Sequence, residues 1–385
     1  MTVETVALGC RLNFAEAETI ARTAPQGEHW VVVNSCAVTN EAVRQTRQAI
    51  RRAHRCRPDA RILVTGCAAE LDRRSFERMP EVSRVVGNSD KLRAFDAKTS
   101  PVASGTHSHV RSFVAIQNGC DHRCTFCSIW KARGPSVSMP FGSIREAVAR
   151  EIERGAKEIV LTGVDITDYD GGLGLLCQRL LAAEPRLRRL RLSSLDSVEI
   201  DDALFELLAD ERLLPHFHLS LQAGDDMILK RMKRRHSRAQ AVAAVERIKA
   251  VRADSTIGAD LIAGFPTETE EMALNSLQLL EDCDVVAAHI FPFSPRPGTP
   301  AERMPQLDRE VVKARAARLR DAAGARRLRW LDSLVGTIQA VLMENGGKGH
   351  NDGFAPVIVA ASERGDLLAA RITGREGDRL VGVRA

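Results

Sequence analysis

Cys120, Cys124 and Cys127 lie within eight consecutive residues of the stretch QNGCDHRCTFCSIWKARG, at C-x3-C-x2-C spacing. Three thiolates this close can share one metal centre, and such soft ligands select zinc, copper(I) or iron–sulfur clusters. Zinc is normally closed by a fourth protein ligand, which His122 would have to supply because the usual second Cys or His pair is missing. On a four-iron cluster, three cysteines instead leave one iron open to a small molecule, which is typical of a catalytic site.

Three more cysteines, Cys10, Cys36 and Cys67, each come directly after an apolar run, in VALGC, VVVNSC and ILVTGC. In open α/β sheets ligands bind beyond the carboxyl ends of the strands, so we expect these thiols to converge at one edge of a sheet. One such cysteine can be explained by packing, because free cysteine is often buried. Three at equivalent positions favour a second three-cysteine cluster with one open iron. Asn13 and Asn34 lie beside these cysteines, and we expect them to shape the pocket by hydrogen bonding.

Alternating strand and helix patterns over residues 1–100 supply the elements that would position the dispersed cysteines. Strand patterns occur at Glu4–Gly9, His29–Ser35 and Arg61–Gly66, and helical patterns at Ala15–Thr23 and Glu41–Arg55. This order predicts an N-terminal open parallel α/β domain over residues 1–100.

The C-x3-C-x2-C loop lies near the start of a longer β/α alternation, which follows a turn-prone linker at Thr99–His109. Strand patterns occur at Phe113–Gln117, Glu158–Thr162, Leu190–Ser193, His216–Leu221, Thr256–Ile262 and Val285–Phe291, separated by helical patterns such as Ser143–Arg154 and Arg238–Val251. Six β/α units predict a partial barrel over residues 107–333, with its chemistry in the loops after the strands. The amphipathic pattern at Asp308–Asp332 predicts a helix that closes the side of this barrel.

The last fifty residues, 336–385, change to short strand patterns joined by Gly, Asn and Asp turns. These patterns occur at Thr337–Leu342, Pro356–Ala360, Leu367–Thr373 and Arg379–Val383. They predict a small C-terminal β-barrel, with a ligand-free capping sheet as the alternative.

The glycine-rich, basic surroundings of the C-x3-C-x2-C loop resemble those of the radical S-adenosylmethionine (SAM) enzymes. A three-cysteine α/β domain followed by this loop resembles the methylthiotransferases of that superfamily, over essentially the whole chain. The segments GCRLNFAEAE, NSCAVTNEA, VTGCAAE and GCDHRCTFC look most like the branch that modifies threonylcarbamoyladenosine in tRNA, with Arg11, Leu12, His122 and Arg123 carrying the assignment. The segments GHNDGFAPV and ITGREGDRLVG resemble the TRAM domain, an RNA-binding barrel of OB-like shape.

The resemblance implies two 4Fe–4S clusters, a radical SAM cluster on Cys120, Cys124 and Cys127 and an auxiliary cluster. It also implies replacement of the hydrogen on carbon 2 of adenine by a methylthio group, with one SAM as methyl donor and one as radical source. The auxiliary cluster, on Cys10, Cys36 and Cys67, would hold the sulfur. Implied cofactor-binding residues around SAM are Thr162, Gly163, Asp165, Ser193, Ser194, His218, Gln222, Asp260 and Arg296.

Charge is modest overall but locally concentrated, with a net value of +5 and only 4% aromatic residues, so extensive base stacking is not indicated. Arginines recur at spacings of three and four, which indicates either a phosphate-tracking stripe or a solvated helix face: Arg44, Arg47, Arg51 and Arg55. A second basic run, with the same two interpretations, is expected on a helix: Lys230, Arg231, Lys233, Arg234 and Arg235.

No stretch has the length and composition of a membrane span, and the amino terminus MTVETVALGC does not resemble a secretory signal. We therefore expect a cytoplasmic monomer with a tRNA substrate, an unidentified electron donor and an unidentified sulfur source. Nine cysteines in a reducing compartment indicate metal rather than disulfides. Those outside the two triplets, Cys56, Cys177 and Cys283, are expected to be structural.

Two kinds of alternative remain open at the level of sequence. The same chemistry can act on isopentenyladenosine in tRNA or on a ribosomal protein side chain. A different class is a zinc-bearing RNA-binding protein without catalysis, which metal analysis would distinguish. The chain departs from the family pattern at Phe14, at Ser128–Lys131 and at Asp196, which concerns SAM packing and nucleoside contact rather than cluster ligation.

Overall fold

The computed structural model describes residues 3–22, 28–95 and 110–385. These residues form a four-stranded parallel sheet, a set of parallel strands in two adjoining sheets, and a closed five-stranded barrel. The predicted succession of α/β domain, partial barrel and small β-barrel is confirmed. The predicted linker at Thr99–His109 lies outside the described residues. Among the helices of the described ranges, none is both long and apolar enough to cross a membrane.

The first sheet has the order β1-β2-β3-β4, with all pairs parallel. Its elements are β1 (Glu4–Ala7), α1 (Arg11–Arg22), β2 (Trp30–Ser35), α2 (Asn40–Cys56), β3 (Arg61–Gly66), α3 (Cys67–Leu71), α4 (Arg73–Glu77) and β4 (Arg84–Val85). The first three strands are the predicted ones. Strand β4 was not predicted because two residues are too few to show a period. Strand β2 is buried throughout, which explains why its apolar run is unbroken.

The central strands follow the predicted order, although the third is divided. They are β5 (Arg111–Ala115), β6 (Gln117–Asn118), β7 (Val137–Ser138), β8 (Glu158–Thr162), β9 (Leu190–Leu192), β10 (Ser194–Leu195), β11 (His216–Gln222), β12 (Thr256–Ala263) and β13 (Val285–Pro292). One sheet has the order β5-β8-β9 and the next β10-β11-β12-β13, so Ser193 marks the break between them. The short antiparallel pair β6-β7 was not predicted, and it brackets the loop of clustered cysteines.

Helices surround the central strands, and side chains cap most of their amino-terminal ends. They are α5 (Ile129–Arg133), α6 (Phe141–Glu153), α7 (Leu173–Ala183), α8 (Asp202–Leu207), α9 (Asp226–Met232), α10 (Arg238–Val251), α11 (Glu270–Asp282) and α12 (Arg309–Ser333). Side-chain oxygens accept backbone N–H groups at five of these ends, from Asp201, Asp225, Ser237, Thr269 and Asp308. Helix α12 packs on α11 and β13 through Ala316 and Leu319, as predicted for a helix that closes the side.

The second basic run does not lie on one helix, so that prediction is wrong. Helix α9 includes Lys230 and Arg231, but Lys233 adopts a left-handed conformation with φ of 61° and ends the helix. Arg234 and Arg235 therefore lie in the loop that follows the helix.

The C-terminal barrel closes in the order β14-β15-β16-β18-β17. Its strands are β14 (Ile338–Asn345), β15 (Lys348–Asn351), β16 (Pro356–Val359), β17 (Leu367–Glu376) and β18 (Arg379–Arg384). Strand β15 was missed because its sequence, KGHN, shows no apolar alternation.

This small barrel docks at the amino-terminal ends of the central strands, away from the strand ends that lead into the catalytic loops. The ring of Phe354 stacks on His216, the first residue of β11, at 5.3 Å. The guanidinium groups of Arg111 and Arg191 lie 4.9 and 4.8 Å from the same ring. Both arginines pair with the fully buried Glu158, at 2.6 and 2.8 Å, so the joint combines cation–π contacts with a buried ion pair.

Candidate cluster and cofactor site

The loop of Cys120, Cys124 and Cys127 is built on a tight turn after β6. Gly119 has φ of 77°, and a Cβ there would lie 1.7 Å from the carbonyl oxygen of Pro135. The Cys120 N–H donates to the Gly134 carbonyl at 3.1 Å, which fixes the two ends of the loop together. Only glycine fits this approach, so local sequence brings the three thiols together.

The three thiols of this loop differ in their electrostatic surroundings. Burial, together with neighbouring negative charge, raises the pKa of Cys120 to about 12 and that of Cys127 to about 11. Burial also opposes ionisation of Cys124, but a hydrogen bond with His122 and the charge of Arg234 lower its pKa. Because a metal binds thiolates, a cluster at this site must displace protons from at least the first two thiols.

Arg234 is a buried member of this site, and its place in a basic run gave no sign of that role. Its Nη2 donates to Asp196 at 2.6 Å and to the Ser220 carbonyl at 3.0 Å, while Nη1 lies 3.9 Å from the Cys124 sulfur. For this residue, both the phosphate and the solvation interpretations are wrong. Its partners come from the ends of β10 and β11, which no local pattern could indicate.

Cys10, Cys36 and Cys67 meet beyond the carboxyl ends of β1, β2 and β3. The negative charge of each thiolate would be felt by the other two, and burial raises the pKa of Cys36 to about 11. A Cβ at Gly9, where φ is 86°, would lie 2.4 Å from the Cys36 sulfur, so the chain passes this thiol very closely. The donor set is again three thiols, which fits a cluster with one open iron.

Two asparagines tie the strand ends together around these cysteines. Asn13 donates to the carbonyls of Leu8 at 2.7 Å and Ser35 at 3.1 Å, and so bridges the ends of β1 and β2. Asn34 donates to the Asn13 carbonyl at 2.9 Å. Both side chains are buried, and their hydrogen bonds shape the pocket as the sequence indicated.

The two cysteine triplets adjoin one another, which the sequence did not reveal. Cys67 of the dispersed triplet lies close enough to Cys127 of the loop for the charge of a Cys67 thiolate to raise the pKa of Cys127. Helix α5 begins two residues after Cys127 and packs its Ala132 into the apolar core of the first sheet. From this helix, Arg133 donates from Nε to the Cys67 sulfur at 3.2 Å.

The loop after β8 contains two of the expected cofactor residues, Gly163 and Asp165, and Gln117 holds it in place. The Gln117 side-chain oxygen accepts the N–H groups of Val164 at 3.0 Å and Asp165 at 2.9 Å. A Cβ at Gly163 would lie 2.8 Å from the Gln117 carbonyl, so glycine is required. Thr162 is buried at the end of β8. Gln117 was missed as a site residue because it was counted only as the end of a strand.

His122 faces carboxylates from this loop and from the next strand connection. Its Nε2 lies 3.1 Å from Glu199 and 3.5 Å from Asp165. Hydrogen bonds with Cys124 and Glu199 raise the pKa of His122 to about 10. A protonated imidazole beside Cys124 would stabilise a thiolate there.

The remaining expected cofactor residues fall into two places. Ser193 lies at the break between β9 and β10, and Ser194 begins β10. Gln222 is the last residue of β11 and has φ of 67°. His218 and Asp260 lie on adjacent strands β11 and β12, where the His218 Nε2 is 3.0 Å from the Asp260 carboxylate. His289 on β13, not expected from the sequence, contacts the same carboxylate oxygen at 3.0 Å.

Arg296 turns toward the first domain. Its Nη1 donates to the Asn40 side chain at 2.5 Å, and the negative charge of Cys36 acts on its guanidinium. Its buried Nε has no hydrogen-bond partner in the described part of the chain. Arg296 therefore lies on the side of the dispersed triplet, and its expected contact with SAM stays a prediction.

The cysteines outside the triplets are not alike. Cys177 and Cys283 are fully buried in the core of the partial barrel, as expected for structural residues. Cys56 is exposed at the end of α2, so packing does not explain it.

Arg11 follows Cys10 in the sequence, but its guanidinium lies 5.8 Å from the ring of Phe354 in the C-terminal barrel rather than among the thiols of the dispersed triplet.

Two family models match this chain. Residues 114–280 match the radical SAM superfamily, and residues 2–87 match a family described as uncharacterized protein family UPF0004. The second match covers the sheet that carries the dispersed triplet, and the first begins just before the loop of clustered cysteines.

Similar proteins extend the likeness over nearly the whole chain. The threonylcarbamoyladenosine tRNA methylthiotransferase MtaB of Rickettsia prowazekii is 42% identical over 380 residues, covering 92% of this chain and 90% of that protein. The enzyme of the same name from Thermotoga maritima is 31% identical and covers 89% and 86%. The tRNA-2-methylthio-N(6)-dimethylallyladenosine synthase of Erythrobacter litoralis is also 31% identical, covering 90% and 87%.

Among solved structures, the radical S-adenosylmethionine methyltransferase TsrM of Kitasatospora setae superposes with a TM-score of 0.54 at 15% identity. The likeness covers 73% of this chain and 66% of TsrM. The cobalamin-dependent radical enzyme OxsB gives 0.51 at 11% identity, over 84% of this chain and 56% of OxsB. At such low identity these structures show that the fold is shared.

Proposed function

We propose that this chain, which belongs to the radical SAM tRNA methylthiotransferases, converts N6-threonylcarbamoyladenosine beside the anticodon of tRNA to its 2-methylthio derivative. The observation that carries the proposal is the meeting of two three-cysteine sites: a Cys67 thiolate raises the pKa of Cys127, and Arg133, six residues after Cys127, donates to the Cys67 sulfur at 3.2 Å. Radical formation and sulfur delivery must act on one carbon atom, so the two sites have to adjoin. The relatives named for this nucleoside, at 42% and 31% identity, favour it over other substrates.

The reaction explains why two cofactor sites are needed. Carbon 2 of adenine bears no acidic hydrogen and is a poor electrophile, so acid–base or nucleophilic side chains cannot exchange its hydrogen for sulfur. When bound, a cluster on Cys120, Cys124 and Cys127 supplies the electron that cleaves SAM to a 5′-deoxyadenosyl radical, and an auxiliary cluster on Cys10, Cys36 and Cys67 supplies the sulfur. The chain itself then has to position these groups and exclude water.

The residues around the cysteine loop are suited to this positioning task. Gln117 fixes the Thr162–Asp165 turn through two backbone N–H groups, and we assign this turn to the amino group of SAM. His122 and Arg234 place positive charge beside Cys124 and so favour its thiolate. The other residues that we assign to SAM are Ser193, Ser194, His218, Gln222 and Asp260. We also assign Arg296 to cofactor binding, at a position where the charge of Cys36 acts on it.

The tRNA would present its adenosine as an unstacked base in the single-stranded anticodon loop. We propose that the stripe on α2 and the C-terminal barrel grip the phosphates; the stripe consists of Arg44, Arg51 and Arg55, which are exposed, and Arg47, which is half-buried. We also propose the domain limits 1–100, 107–333 and 336–385, a monomer acting in the cytoplasm where tRNA is found, and separate proteins as electron donor and sulfur source.

Mass spectrometry of nucleosides from bulk tRNA tests the proposal directly, comparing cells with and without the gene. We expect 2-methylthio-N6-threonylcarbamoyladenosine to vanish on deletion and to return with the intact gene but not with Cys124→Ala. If the isopentenyl derivative changes instead, the chemistry is right and the nucleoside is wrong. If every methylthio nucleoside is unchanged, the tRNA assignment fails and ribosomal proteins should be examined for a methylthio group.

Metal analysis tests the cofactors independently of the substrate. After anaerobic reconstitution we expect about eight irons per chain, since each triplet would hold one four-iron cluster. About four irons would remove the auxiliary cluster from the proposal. One or two zincs without iron would instead indicate a non-catalytic RNA-binding protein.

A further inference from the structure

We propose that Arg133 is a positioning residue for the auxiliary cluster. It would hold the cluster by its hydrogen bond to the Cys67 sulfur, and its positive charge would offset the negative charge of the cluster. It would do so from the neighbouring cysteine site. This inference rests on the proposed auxiliary cluster at Cys10, Cys36 and Cys67. Arg133 belongs by sequence to the radical SAM loop, since it follows Cys127 by six residues. Its contacts, however, lie mainly with the first domain.

Every N–H group of the Arg133 guanidinium is used. The Nε donates to Cys67 Sγ at 3.2 Å. The Nη1 donates to Glu16 at 2.9 Å and to the Asn118 side chain at 2.7 Å, and Nη2 donates to Glu16 at 3.0 Å and to Asn13 at 2.7 Å. A guanidinium has five such donors in a rigid fork, so its position is fixed in all directions. The direction of the bond to Cys67 is therefore set by the rest of the network.

The charges of this network do not balance without an anion at the cysteines. Arg133 and Lys91 both pair with one carboxylate, Glu16, and the Lys91–Glu16 distance is 2.6 Å. All three side chains are buried, with exposures of 1%, 1% and 7%. Although burial raises the pKa of Glu16, the charges of Lys91 and Arg133 lower it to about 2. With Glu16 ionised and with Arg133 and Lys91 protonated, the three side chains together carry one net positive charge.

A buried excess charge is costly unless an opposite charge lies beside it. Besides Glu16, the acidic groups that act most strongly on Arg133 are Cys67 and Cys10, members of the dispersed triplet. Three thiolates around an oxidised four-iron core of charge 2+ carry one net negative charge, which matches the excess. The network thus fits a loaded site better than three protonated thiols.

The same residue connects the two sites mechanically. Asn118 precedes the clustered cysteines, and Asn13 joins the ends of β1 and β2. Because Arg133 bonds to both asparagines and to Cys67, a shift of the cysteine loop is transmitted to the auxiliary site. Asn88 adds a second tie by donating to the Ala132 carbonyl at 2.6 Å.

The test compares Arg133→Lys and Arg133→Met with Arg191→Lys in the reconstituted full-length protein. Arg191 is a matched control because it is equally buried and pairs with Glu158 at 2.8 Å, at the far end of the barrel strands. Iron per chain and the reduction potential of each cluster are measured by redox titration with electron paramagnetic resonance. Hydrogen bonds and charge at the ligating sulfur raise cluster potentials, so their removal should lower that of the auxiliary cluster alone.

If Arg133→Lys retains eight irons, we expect its auxiliary cluster to be harder to reduce. At a fixed potential the ratio of reduced to oxidised cluster should fall at least tenfold, which corresponds to a reduction potential lower by about 59 mV for a one-electron couple. Loss of only the auxiliary irons from Arg133→Lys, with Arg191→Lys fully loaded, equally supports the holding role. Unchanged potentials in both fully loaded Arg133 variants overturn the inference. Wild-type protein with only four irons removes the auxiliary cluster from the proposed function, and this inference with it.

Discussion

The two cysteine triplets offer the same ligands by opposite routes. Cys120, Cys124 and Cys127 are gathered by one loop, and the tight turn at Gly119 closes it with little help from elsewhere. The other triplet comes from three strand ends of one sheet, and it exists only when that sheet is formed and docked. The site of Cys120, Cys124 and Cys127, here called the local site, depends on its own loop. The site of Cys10, Cys36 and Cys67, here called the assembled site, depends on every contact that positions its three strands. The two sites should therefore respond differently to the same kind of damage.

The largest contrast is expected when one ligand is removed from each site. Cys124→Ala should abolish reductive cleavage of SAM, because the local triplet would hold the cluster that supplies the electron. Cys36→Ala should spare part of the cleavage but eliminate sulfur insertion. Chromatography of 5′-deoxyadenosine and of modified tRNA nucleosides measures both activities. Complete loss of cleavage in both variants would contradict this division of labour.

The assembled site should also be lost without touching a cysteine. In Gly9→Ala the new Cβ would lie 2.4 Å from the Cys36 sulfur at a backbone φ of 86°, so the strand end must move. We expect iron to fall from about eight to about four per chain, with the local cluster retained. The control is Gly324→Ala, on α12, where the new Cβ would meet no atom within 4 Å beyond the neighbouring backbone of its own helix; this variant should keep all its iron. Equal iron in the two variants would show that the assembled site tolerates displacement.

A smaller difference is expected when supporting hydrogen bonds are removed. Asn13→Ala leaves the buried carbonyls of Leu8 and Ser35 without their donor, and each such loss costs about 1–3 kcal/mol. Thr125→Val at the local site removes one hydrogen bond to the Arg231 carbonyl, which we expect to cost about 1 kcal/mol. Denaturant unfolding of both variants gives the two free energies. A Thr125 variant that is the less stable of the two would reverse the comparison.

The smallest effects on iron content are expected at the cysteines outside both sites. Cys177→Ser buries a hydroxyl in an apolar core and should cost about 1–3 kcal/mol without changing iron content. Cys56→Ser, at an exposed position, should change stability by less than about 0.5 kcal/mol. Loss of iron from either variant, measured beside the unfolding curve, would mean that a ligand lies outside the two triplets.

Short-range patterns in the sequence determined much of this protein. The spacing of three cysteines identified the local site, and three strand-plus-cysteine segments located the assembled one. The periods of apolar residues also predicted most helices and strands, because burial on one face repeats every few residues. These features need no knowledge of distant contacts. Strand β4 was missed because a period cannot be seen in two residues, and β15 was missed because KGHN shows no apolar alternation.

Tertiary structure alone decided the roles of the buried charges. Arg133 meets Glu16 across 117 positions of sequence, and Arg234 meets Asp196 across 38. The sequence alone does not show whether an arginine faces water or a buried carboxylate, because its partners are brought to it only by the fold. The same holds for Arg296, which faces Cys36, and for the docking of the small barrel through Phe354. The sequence supplied the ligands, and the packing of three domains decided which charges surround them.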